Sequence, residues 1–189
     1  MFKKIIKDTF QEFDRYKSLS VKGSMPILFF GDYEEYSKSK TKIVTVAINP
    51  SNIEFGKLEK KTFKRIIDYR FNLIHEVKTQ SQQKEYINSL SNYFKFNPYC
   101  SWFNNFEKLL QKLNSSYYGN NYPKNCTPIE NWKKRDNRVL HTDICSPVAT
   151  ENKWSELSND NRKALSENGK TIWKDLIKIL EPDLIIISG

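Results

Sequence analysis

Apolar positions recur along this chain at two periods, and the period assigns each segment. Phe2, Ile5, Ile6, Phe10 and Phe13 follow helical spacing, which predicts an amphipathic helix over 2–17. Pro26 introduces a short apolar run, Ile27 to Phe30, closed by Gly31-Asp32; it reads as an edge strand or an anchoring loop. Ile43-Val44-Thr45-Val46-Ala47-Ile48 is β-branched and apolar on both faces, the pattern of a buried parallel strand, and Asn49-Pro50 stops it.

Phe63, Ile66, Ile67, Phe71 and Ile74 predict a helix over about 60–75. Tyr86, Ile87, Leu90 and Tyr93 predict another, and Phe103, Phe106, Leu109, Leu110 and Leu113 a third, ending before Asn114. Residues 117–131 hold Gly, Asn and Pro and read as a long surface loop. Val139 to Ile144 is a second strand, closed by Cys145-Ser146-Pro147. Asn159 to Glu167 predicts a helix broken at Gly169; Ile172, Trp173, Leu176, Ile177 and Leu180 predict a further one that Pro182 ends. Leu184 to Ile187 is a third apolar strand.

Helices alternating with apolar strands predict an α/β fold, a three-layer α/β/α sandwich around a mostly parallel sheet. The length of 189 residues suits one domain, with 1–42 as a helical and edge extension at its amino end. In open parallel sheets ligands bind beyond the carboxyl ends of the strands. Here those ends read Asn49-Pro50-Ser51, then Asp143 with Ser146-Pro147, then Ser188-Gly189, polar or small against apolar strand bodies. Asn, Pro and Ser are also ordinary turn formers, so it is the coincidence on one edge that marks a site.

Charge narrows the partner. Thirty-one Lys and Arg against 22 Asp and Glu leave a net charge of +9, which favours a polyanion such as nucleic acid. The three cysteines, Cys100, Cys126 and Cys145, are widely spaced and include no C-x-x-C pair, and the histidines are His75 and His141. No metal site, no cofactor and no disulfide framework is expected, which fits a reducing cytoplasm. Residues Lys7 and Asp8 interrupt the first apolar stretch, and no segment is long enough for a signal peptide or a bilayer span.

The ordered motifs resemble those of the uracil-DNA glycosylase superfamily. Val44 to Ser51 is similar to its strand-loop pattern G-[IM]-N-P-G, with Ala47 and Ser51 in place of the two glycines. Val139 to Pro147 falls where the superfamily places its base-reading strand, followed by Trp154 to Leu157, and Trp173 to Gly189 resembles the next helix and strand. The block Asn92-Tyr93-Phe94, Asn97-Pro98-Tyr99 and Trp102-Phe103 is similar to uncharacterised members.

The resemblance implies a DNA glycosylase that flips uracil or a modified pyrimidine out of single- or double-stranded DNA and hydrolyses its N-glycosidic bond. Asn49 would position the attacking water, with Pro50 and Ser51 beside it. A neutral amide orients water and stabilises charge but is no strong general base. Asp143 would read the base edge; if ionised it only accepts hydrogen bonds, which suits a base bearing an exocyclic amino group. Phe55 or Phe71 would stack on the base, and His141 and Ser146 would help bind it. His141 and Asp143, on one face of their strand, also fit a buried structural pair. Lys57, Lys60, Lys61, Lys64 and Arg65, with Lys133, Lys134 and Arg135, would face the DNA backbone, though a solvated helix face explains the first group at least as well; Arg70 would touch phosphate or merely cap a helix. A monomer is expected. The superfamily carries a further strand with a His-Pro-Ser-like loop, whereas this chain stops at Gly189. The expectation is either a longer natural chain or a divergent member, and the rival reading is a non-catalytic module that binds nucleic acid or a partner on the same fold. A third reading, a small-molecule hydrolase suggested by Gly31-Asp32, fails because Tyr33 stands where a nucleophilic Ser is needed.

Overall fold

Four parallel strands carry the fold in a computed structural model that describes residues 2–55 and 74–188. In chain order the main elements are α1 (Lys3–Arg15), α2 (Tyr33–Lys38), β1 (Ile43–Ala47), α3 (Gln80–Ser91), α4 (Cys100–Lys112), β2 (Ser115–Ser116), β3 (Asn137–Asp143), α5 (Asn159–Leu180) and β4 (Leu184–Ile187). The sheet order is β2-β3-β1-β4. Ile43 pairs with Val139 and Leu184, and Ala47 with Asp143, so the carboxyl ends of β1, β3 and β4 lie at one edge. Helices flank this sheet in a three-layer α/β/α sandwich, as the alternation of periods predicts. The helix predicted over 60–75 lies almost wholly outside the described residues.

Register decides what each face meets. Thr45, His141 and Asp143 share one face, where Phe103 and Phe106 of α4 pack at the His141 ring. Thr142 points to the other face and accepts a 3.0 Å hydrogen bond from Trp173 Nε1 of α5, against which α1 packs. Local chemistry sets the helix ends. The Thr79 side chain and Gln82 form a capping box at α3. At α5 the Ser158 side chain accepts from Asn161 N, and Glu181 takes a left-handed conformation just before Pro182.

The run 27–30 is an anchoring segment rather than a regular strand. Phe30 and His141 exchange both backbone hydrogen bonds, at 2.8 and 2.9 Å, in an isolated antiparallel bridge. This closes the edge of β3 that β2 covers only at Asn137 and Arg138. Gly31 follows with φ of 124°, and a Cβ there would lie 2.8 Å from the Val139 carbonyl oxygen.

Three sequence expectations are corrected. Gly169 does not break a helix: α5 runs through it, because a Cβ at 169 would sit 1.9 Å from the Cys145 carbonyl oxygen, and glycine alone lets the helix press on the turn after β3. The cysteines are not all free. Cys100 and Cys126 form a disulfide across 26 positions, with Cα atoms 5.5 Å apart. Loop 117–131 brings them together by folding back on α4, where Asn104 accepts from the Tyr122 hydroxyl and donates to Thr127 O. The bridge removes the basis for expecting a reducing compartment. That loop is also not all surface, since Tyr117 and Tyr118 are buried at its start. Among the described residues no helix is long and apolar enough to cross a membrane.

Candidate active site

A cavity of about 350 Å³ opens at the carboxyl edge of the sheet, a size in the range of small-molecule sites. Backbone pairing continues past β1 and β3, with Ile144 N donating to Ala47 O and Cys145 N to Ile48 O, both at 2.9 Å. The chain after β1 then turns along one side. Ser51 accepts from Ile53 N, capping a short 3-10 turn over Asn52–Glu54. Two side chains tie this turn to the loop beyond β3: Asn49 Nδ2 to Thr150 Oγ1 at 3.4 Å, and Asn52 Nδ2 to Glu151 O at 2.9 Å. Asn49 Nδ2 also donates to Pro50 O at 3.1 Å. With its amide hydrogens so engaged, Asn49 offers its side-chain oxygen as an acceptor in the cavity wall.

The floor is ionisable and buried. His141 Nδ1 lies 2.8 Å from Thr45 Oγ1, which lies 2.5 Å from the Tyr117 hydroxyl, a buried polar chain crossing under the cavity. The Phe30 ring lies parallel to the imidazole and Phe103 meets it edge-on. Burial pulls the His141 pKa down to about 3, so the ring is neutral. Its Nε2 stands 3.9 Å from Asp143 Oδ1, beyond hydrogen-bond reach.

Asp143 has a side chain only 3% exposed. Burial, with the charge of Glu54 adding to it, pushes its carboxyl well above the usual range. The neutral acid holds one donor and one acceptor. The raised pKa favours this form over the acceptor-only carboxylate. Glu54 is the cavity's second carboxyl, 2% exposed and accepting from the Tyr93 hydroxyl at 2.7 Å. Tyr99 and Trp102 complete an aromatic wall, and Lys153 and Trp154 stand at the rim.

Five predicted residues thus meet here: Asn49, Pro50, Ser51, His141 and Asp143. Phe55 does not; it is 1% exposed and packs in the core. Ser146 is buried away from the cavity, its hydroxyl accepting from Val148 N at 3.0 Å. Lys133, Lys134 and Arg135 precede β3, so they sit at the opposite edge of the sheet, about 20 Å of strand from Asp143. There Arg135 Nη2 donates to Gln111 O and Lys133 N to Gln111 Oε1, so the cluster braces α4 rather than flanking the cavity. Phe71, Lys57, Lys60, Lys61, Lys64, Arg65 and Arg70 lie outside the described residues. Sequence reasoning missed Glu54, whose one signal is an acid set between Ile53 and Phe55.

Compared with known proteins, the chain matches no family model, no curated protein and no solved structure. The case for function therefore rests on the motifs and on this geometry.

Proposed function

We propose that the cavity receives a nucleobase flipped out of DNA and that the protein hydrolyses its N-glycosidic bond, as a monofunctional glycosylase for uracil or a modified pyrimidine. The observation that carries this reading is the meeting of Asn49 and Asp143 in one aromatic-walled cavity, each from a different strand end. A neutral Asp143 suits a pyrimidine edge, which presents a donor beside an acceptor in uracil and cytosine alike. In this reading Tyr99 and Trp102, which line the cavity, stack on the ring.

In the proposed step, water held by the Asn49 side-chain oxygen bonds to the sugar C1′ as the C1′–N bond breaks. The bonding pair departs with the base, which takes the Asp143 proton. Glu54 takes the proton released by the water, and solvent then restores both carboxyls. Asn49 orients the water and stabilises the oxocarbenium-like sugar, so the division of labour gives proton transfer to the carboxyls and positioning to the amide.

The test is strand cleavage by alkali after incubation with oligonucleotides carrying uracil or modified cytosines. The wild-type protein is expected to generate abasic sites, and Asn49→Ala to slow excision by roughly 10²–10³, the usual cost of one oriented polar group. Absence of cleavage across a broad base panel refutes the reading. Retained DNA binding in that case favours the non-catalytic module.

A further inference from the structure

The strand that delivers a base must be held beside the cavity, and the cluster expected to hold it, Lys133 to Arg135, stands at the wrong edge. Trp154 is shared between the cavity and a shallow neighbouring depression of about 370 Å³. Arg162, Lys163 and Lys170 of α5 line that depression together with Cys145, Ser166 and Glu167. Three cations thus face one carboxylate, and Lys153 adds a further cation at the cavity rim. Lys163 and Lys170 are exposed and form no ion pair among the described residues, so their charge is available. They stand seven positions apart on α5, about 10 Å along the helix axis. The indole of Trp154 lies between this stripe and the cavity, half-buried against Phe13, Val148, Leu157 and Leu165.

We propose that Trp154, Arg162, Lys163 and Lys170 form the track for the DNA strand next to the flipped nucleotide. The three cations bind phosphates of that strand, and the indole stacks on an adjacent base. This rests on the reading of the cavity as a base pocket.

Fluorescence anisotropy with a labelled single-stranded oligonucleotide, titrated with salt, tests it. K163E/K170E is expected to weaken binding at least tenfold at low salt and to flatten the slope of log affinity against log salt by about 1.4, two phosphate contacts on a single strand. K133E/K134E makes the same charge change at the opposite edge and is expected to leave the slope within error of wild type. Trp154→Ala is expected to weaken binding about tenfold with the slope unchanged, and Trp154→Phe to restore it. Equal losses in the two reversal variants reduce the effect to net charge and overturn the track, as does no loss in K163E/K170E. If wild type excises bases while K163E/K170E binds normally, the track alone fails. If wild type binds no DNA, the base-pocket reading fails and takes the track with it.

Discussion

Replacing Asp143 by Asn measures the state of the buried carboxyl directly. Asn is nearly isosteric with the neutral acid, keeps a donor and an acceptor, and cannot ionise. In the wild-type fold the carboxyl pKa lies well above its ordinary 3.8. The sign follows from linkage: the contribution of the neutral acid is whole below 3.8 and is lost as pH rises toward the folded-state value. For each pH unit above 3.8 over which Asp143 stays protonated in the fold, wild type loses about 1.4 kcal/mol relative to the variant. Each such unit corresponds to roughly 3–5 °C in melting temperature for a domain of this size. His141 is present in both proteins, so its titration cancels in the difference. Melting curves of the two proteins at pH 5, 6, 7 and 8 provide the assay. The variant is expected to gain on wild type as pH rises. A difference that is flat across the series, or that turns against the variant, means that Asp143 ionises normally and refutes the reasoning about the cavity floor.

Three further outcomes follow from the same structure. His141 holds a neutral ring down to about pH 3, so its contribution to stability is whole above 6.5 and is lost as pH falls toward 3, at most ~5 kcal/mol; an imidazole NMR signal assigned to His141, by its loss in His141→Gln, that titrates near 6.5 contradicts this. Gly169→Ala, despite a helix propensity gain of about 1 kcal/mol, is expected to be net destabilising by more than 2 kcal/mol, because the new methyl meets the Cys145 carbonyl oxygen; denaturant unfolding reads the sign. Reduction of Cys100–Cys126 is expected to remove about 3.5 kcal/mol, the chain-entropy value for a closed loop of 26 residues, and unfolding with and without reductant measures it.

The parts of the fold that the sequence makes legible are those where burial leaves a pattern. β1 is apolar on both faces, β3 centres on Val139-Leu140, and the polar residues that follow each mark the cavity edge in the sequence itself. β2 leaves no such pattern. It is a pair of serines, buried because Glu107 accepts from the Ser116 hydroxyl at 2.5 Å and from Tyr117 N at 3.0 Å. The Gly169 contact and the Cys100–Cys126 pairing join residues distant in the chain, and composition is blind to both. Protonation of Asp143 depends on the surroundings that fold around it, so the residue's position is readable and its chemistry is not. Net charge likewise gives an excess of cations without saying which edge carries them.

The backbone exchange between Phe30 and His141 bears on what the smallest working unit of this protein is. It makes residues 20–31 the outer rail of the strand that carries the cavity floor, so the first 42 residues are not an appendage. A chain begun at Lys42 would leave the His141 amide and carbonyl of β3 free, an open edge that recruits a second copy. Trimming to the sheet would exchange the braced cavity for self-association.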